Sequence, residues 1–148
     1  MLEAPFDQFE DILWGTLNAI GESNLWGWNA RPNGSFLVID SEDAAATFSY
    51  FDSCFTDKWD HLTTEKAPAD IQEILEYLRG LRERQLLYTL PWSNDLVCYA
   101  AYWPWSNGNR ASIRISVFHV GQPTLTSGET GLLIQAVLNA NNRSQDQG

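Results

Sequence analysis

Two histidines, two cysteines and one acid-rich string are the residues of this chain from which catalysis or metal binding would have to be built. Cys54, Asp57 and His61 fall within eight positions, a grouping that suggests a thiolate nucleophile, its imidazole base and an orienting carboxylate. The residues around that cysteine, FDSCFTDKWDH, carry no nucleophile signature, and His61 sits in a polar connection where a solvated ring is expected. His119 alternates with Ile115 and Val117 and reads as a residue at the end of a strand. The string DSED at 40–43 lacks the alternating oxygen ligands and closing glutamate of a calcium loop. No glycine-rich phosphate loop, zinc-ligand spacing or GxSxG occurs, and lysine is found only at 58 and 66. No catalytic residue, metal site or cofactor is therefore assigned. The expected function is that of a non-enzymatic binding protein, with a small enzyme of unrecognised active site as the competing class.

The elements that would position a binding surface are legible from periodicity. Residues 5–20 place Phe6, Phe9, Ile12, Leu13, Leu17 and Ile20 on one helical stripe, with Pro5 suited to the first turn and Gly21 to the end. Two short strand-like runs, 25–30 and 35–40, flank the turn string RPNG. Closing that turn pairs Trp28 with Leu37 and Trp26 with Ile39. Ser41 reads as the N-cap of a second helix with Ala44, Phe48, Phe51, Phe55 and Trp59 on its apolar face. A third helix buries Ile71, Ile74, Leu75, Leu78 and Leu81, and a fourth buries Leu132, Leu133, Ala136, Val137 and Ala140. Residues 141–148 carry no apolar side chain and read as a polar tail. The expected fold is one α+β domain over 1–140, a mainly antiparallel sheet of about five strands packed with about four helices.

Between the third and fourth helices the string PWSN occurs twice, at 91–94 and 104–107. Proline presets φ for a turn, and Ser and Asn bond locally to backbone, so both strings read as turn chemistry. They divide runs 85–90, 96–103 and 110–120 into a three-stranded meander. One face then carries Leu86, Tyr88, Leu90, Cys98, Ala100, Ile113 and Ile115, as a helix-covered face requires. The other mixes Leu87, Val97, Tyr99, Ala101 and Trp103 with Arg110, Ser112, Arg114 and Ser116. Two readings of that second face are open. A helix covers part of it while the arginines reach outward along their aliphatic stems, or it is an exposed aromatic surface for a partner protein. Under the second reading the candidate partner-binding residues are Trp26, Trp28, Leu87, Val97, Tyr99, Trp103 and Arg114.

A formal net charge of −10 and a pI near 4.4 disfavour nucleic acid; they suit basic partners, and equally serve solubility alone. The N-terminal MLEAPFDQFED has no basic start of a signal peptide, and no apolar run approaches a membrane span, so a cytoplasmic protein without a membrane partner is expected. Cys54 and Cys98 lie in apolar-patterned segments and read as reduced thiols.

In the segments FLVIDSEDAAATFSYFDSCF and LLYTLPWSNDLVCYAAYWPWSNGNRASIRISVFHV the chain resembles the CcmS family of small cyanobacterial carboxysome-assembly chaperones. The resemblance implies capture of an extended peptide, the C-terminal extension of a carboxysome shell protein. It assigns no residue roles. A type III secretion-like chaperone, also small, acidic and α+β, is the alternative.

Overall fold

A computed structural model of the chain describes residues 3–21, 24–30, 33–93, 95–121 and 125–146. Its elements in chain order are helix α1 (Glu3–Ile20), strands β1 (Gly27–Ala30) and β2 (Asn33–Asp40), helix α2 (Ala44–Cys54), strand β3 (Asp57–Trp59), helix α3 (Ala69–Tyr77), strands β4 (Leu86–Ser93), β5 (Leu96–Pro104) and β6 (Arg110–His119), and helix α4 (Ser127–Asp146). The six strands form one antiparallel sheet in the order β1-β2-β6-β5-β4-β3. The fold is α+β, with one strand more than the periodicity gave.

That strand is β3. The second helix ends at Cys54 because Phe55 turns extended (φ −98°, ψ 146°). The chain then runs beside β4, pairing Trp59 with Leu87 and Asp57 with Thr89. Trp59 thus belongs to a sheet edge, where its indole N–H donates to the Thr89 hydroxyl at 3.0 Å. Ser41 does not cap a helix either. It opens a short 3-10 turn, and its hydroxyl donates to the Gly108 carbonyl in the β5–β6 loop.

The pairing between β5 and β6 joins Trp103 to Ser112, Ala101 to Arg114, Tyr99 to Ser116 and Val97 to Phe118. A tight closure of the second PWSN turn would set Trp103 opposite Arg110; the observed register differs by two because the turn is centred one residue later in the chain. An even slip leaves each side chain on its expected face. The first hairpin slips by two in the opposite sense, its turn being tighter than expected: Trp28 lies opposite Ser35 rather than Leu37, and Trp26 precedes the strand. Its turn, residues 31–32, lies outside the described residues.

Helices α1, α2 and α4 cover one face of the sheet. Phe9, Leu13, Leu17, Phe51, Leu133 and Ala140 meet Leu37, Ile39, Tyr88, Cys98, Ala100, Ile113 and Ile115 there. A closer approach between α1 and α2 is set by Gly15. A Cβ at that position would fall inside the Tyr50 ring, whose hydroxyl donates to the Asp11 carbonyl at 3.2 Å. We expect Gly15→Ala to cost about 1–3 kcal/mol in chemical denaturation, the range for overpacking. A second substitution, Tyr50→Ala, should recover part of the loss; equal stability of Gly15→Ala and wild type would mean the helices are farther apart.

The polar C-terminal segment also departs from expectation. Helix α4 continues to Asp146, and described residues of the supposed tail dock on the domain. The Asn141 carboxamide accepts from the Trp26 backbone N–H at 2.9 Å and donates to the Trp26 carbonyl at 3.0 Å. Arg143 bonds Glu10 at 3.0 Å and Asp11 at 2.9 Å, with its guanidinium 4.6 Å from the centre of the Trp14 ring. Polar residues are held here by specific hydrogen bonds and ring stacking, which an apolar count does not register. Removing residues 141–148 should lower the melting temperature by several degrees, because it leaves two backbone groups of Trp26 without partners at about 1–3 kcal/mol each. An unchanged melting curve would show that these contacts contribute nothing.

Candidate functional site

The second face of the sheet is divided. Helix α3 lies over the β4–β5 half, where Ile71, Ile74 and Leu75 bury Leu87, Val97, Tyr99, Ala101 and Phe118. Tyr99 is 1% exposed and Leu87 0%. These positions are the floor under a helix. Trp26 is likewise withdrawn: it is 4% exposed beneath the opposite helical layer, with its indole N–H donating to the Leu13 carbonyl at 2.9 Å. Trp28 packs half-buried against that same core. Five of the seven candidate partner-binding residues, Trp26, Trp28, Leu87, Val97 and Tyr99, are therefore packing residues. Four of them are buried outright, so they cannot serve as surface platforms in this fold. Of the two open readings, helix cover is the one observed on this half.

Trp103 and Arg114 are different. They remain half-exposed at the border of the α3 cover, Trp103 packing against the edge of the cluster that α3 buries. Register builds the rest of this surface from β2: Val38 lies across from Ser112, which lies across from Trp103, and Phe36 lies across from Arg114. Phe36 and Val38 are both only half-buried. Gly27 on β1 lets the Phe36 ring lie flat across the sheet, since a Cβ there would come within 2.5 Å of ring carbons. Trp105, 40% exposed, folds back from the β5–β6 loop and donates its indole N–H to the Ser112 hydroxyl at 3.0 Å. The Arg110–Asp40 ion pair, 3.6 Å and open to solvent, borders the same end.

The opposite end meets the flank of α3. Glu73, Glu76, Tyr77 and Phe118 line a hollow of about 250 Å³, with the Tyr77 and Phe118 rings 5.5 Å apart. The Glu73 carboxylate accepts from the Gly121 backbone N–H at 2.8 Å, fixing the loop after β6 against the helix. Burial pushes the Tyr77 phenol upward in pKa while nearby Arg114 pulls it down. The candidate trough on this face is short: along β6, Phe118 and Ser116 are buried, Arg114 and Ser112 are half-exposed, and Glu73 and Glu76 stand at the Phe118 end.

Sequence reasoning missed Phe36 and Val38. The run Phe-Leu-Val-Ile is apolar at every position, so alternation could not say which pair faces outward. The cue was available in Gly27, a gap on the neighbouring strand that a ring can fill. In the cysteine grouping, burial raises the Cys54 thiol to about 11, away from the thiolate that a nucleophile needs. Among the described residues no cluster of three or more His, Cys, Asp or Glu is placed to hold a metal ion, and no helix is long and apolar enough to cross a membrane. Neither a family model, nor a curated protein, nor a solved structure matches the chain.

Proposed function

We propose that the protein is a non-enzymatic binding protein, an assembly chaperone that holds an extended segment of a partner protein along the open half of the second sheet face. The observation that carries this reading is the row Val38–Ser112–Trp103 beside Phe36 and Arg114. It forms a half-exposed strip of three apolar side chains interspersed with Ser112 and Arg114, bordering the residues that α3 buries outright. A single-layer strip of this kind suits side chains of an extended chain resting on rings, with polar groups at the rim. Glu73 and Glu76 at the far end of the same face, and a net charge of −10, favour a segment with basic as well as apolar residues. The resemblance to carboxysome-assembly chaperones supports a shell-protein C-terminal extension as that segment, and a cytoplasmic setting with it.

The test is titration with a synthetic peptide of a shell-protein C-terminal extension, followed by tryptophan fluorescence. Binding should shift the emission of Trp103 and Trp105. Trp103→Ala or Phe36→Ala should weaken it by about 1–3 kcal/mol, the range for an aromatic anchor. Tight binding that both substitutions leave unchanged would place the partner elsewhere on the molecule.

A further inference from the structure

Helix α1 carries Glu3, Asp7, Glu10 and Asp11 and no base, and Arg143 is the one base of α4. That arginine reaches across to α1. Its guanidinium donates to Glu10 at 3.0 Å and to Asp11 at 2.9 Å, and lies 4.6 Å from the centre of the Trp14 ring. Two residues earlier, the Asn141 carboxamide accepts from the Trp26 backbone N–H and donates to the Trp26 carbonyl. A paired residue on a neighbouring antiparallel strand exchanges that same couple of bonds. Nothing apolar anchors this turn of the helix. Among the described residues Ala140 is the last buried side chain of α4, and 141–148 contain no apolar residue. The ion pairs are open to water, with the Arg143 side chain 39% exposed and that of Asp11 67%, and pairs of this kind hold weakly. Beside the guanidinium opens a hollow of about 460 Å³, lined by Asp11, Trp14, Asn18 and Tyr50 among others.

We propose that Glu10, Asp11, Trp14 and the Trp26 backbone form a binding site for an arginine-bearing extended segment of another protein, and that Asn141 and Arg143 occupy it in the free chain. The end of α4 is then an autoinhibitory clasp. Three observations select this occupant. The resident groups display its chemistry: a carboxamide stands where a peptide group would pair, and a guanidinium stands between two carboxylates and a ring. A planar guanidinium serves both contacts at once, bonding the carboxylates through its edge and stacking on the indole through its face, which an ammonium does not. The charge is also unbalanced. Arg143 offsets one of the four carboxylates on α1, in a chain of net charge −10, so a basic segment is drawn to this helix. Finally, the hollow lies open along the Trp14 ring and gives a side chain next to the incoming arginine somewhere to sit. The clasp competes because it is tethered, with an effective concentration in the millimolar range or above. The site lies in the helical layer across the sheet from the trough, and neither depends on the other.

Titration of the isotope-labelled full chain with the blocked peptide acetyl-Gly-Arg-Gly-amide, followed by NMR, tests this. In wild type the Trp14 indole N–H and the Arg143 side-chain signals should move together as the peptide displaces the clasp. Arg143→Ala should bind the peptide about tenfold more tightly than wild type, since the tethered competitor is gone. Adding Asp11→Asn to that variant should reverse the gain. Acetyl-Gly-Lys-Gly-amide, of equal charge, should bind about tenfold more weakly than the arginine peptide. Equal binding of the two peptides would mark general attraction to an acidic surface and overturn the proposal. So would Arg143→Ala that binds no more tightly than wild type, or peptide binding that leaves the Arg143 signals in place. Either result makes Asn141 and Arg143 a structural clasp only. Phe36→Ala, in the trough, should leave this titration unchanged, so failure here is distinct from failure of capture there.

Discussion

Tyr99→Ala should destabilise the isolated domain by about 3–5 kcal/mol, the range for removing a large buried ring. Tyr99 stands at the middle of the central strand β5, between Thr89 and Ser116 and under α3, with 1% of its surface exposed. Leu87→Ala, one strand away under the same helix, should cost about 2–5 kcal/mol. Urea unfolding followed by circular dichroism measures both. Trp103→Ala, at the border of the cover, should cost distinctly less. This ordering separates the two roles that an aromatic strand residue can have. If Tyr99→Ala lowered stability by under 1 kcal/mol while Trp103→Ala unfolded the domain, α3 would lie over the other half of the face and the trough would vanish.

Above pH 10 the domain should lose stability steeply. Burial is the largest influence on each of the five tyrosines, and all five are raised above the ordinary phenol value of 10. Tyr50, Tyr88 and Tyr99 are raised furthest. The folded state holds these protons more tightly than the unfolded state does. Stability is therefore full below about 10, the unfolded value, and declines as pH rises towards the folded values. A phenol that ionises only on unfolding contributes up to about 1.4 kcal/mol per pH unit in that window; Tyr99, buried throughout, approaches that figure, while Tyr50 and Tyr88, nearer to solvent, contribute less. The Cys54 and Cys98 thiols, also raised by burial, act in the same direction from about pH 9. Absorbance at 295 nm should stay low through pH 10 and rise together with the loss of far-ultraviolet dichroism. Tyrosines that ionise near 10 with the fold intact would mean that the rings are far more open than they stand here.

Much of this architecture could be read before any coordinates, and the misreadings share a cause. Faces were recoverable because side chains alternate with period two. Although Trp103 pairs with Ser112 rather than Arg110, an error of two residues moves no side chain to the other face. The position of the turn, which sets that error, is not encoded in alternation. The three-residue β3 is too short to show a period at all, and Phe55 and Trp59 both fit a helical stripe. The docking of Asn141 and Arg143 was illegible for another reason: it depends on Trp26 and Glu10, more than a hundred residues away, and on no local pattern. The binding surface was half legible. Trp103 and Arg114 declared themselves by mixing aromatic and cationic character on one strand face. Phe36 and Val38 were hidden within an apolar run, and which half of the face α3 covers is a fact of tertiary packing.

The pairing of α1 with α4 bears on how the chain must be made. Phe6 lies near Leu132 and Ala136, while Glu10 meets Asn139 and Arg143, so the two helices run side by side in the same direction. Their contacts close loops of about 130 residues, for Asn139 and Glu10 are 129 positions apart. The central strand β6 also pairs with β2, some 75 residues earlier in the chain. During synthesis at about 5–20 residues per second, α1 waits several seconds for the surfaces that will bury Phe6, Phe9, Leu13 and Leu17. Non-local closure of this kind slows the search as well as delaying it. The growing chain thus carries an exposed apolar helix through most of its own translation, and its yield in a cell will respond to anything that shelters that first helix until α4 emerges.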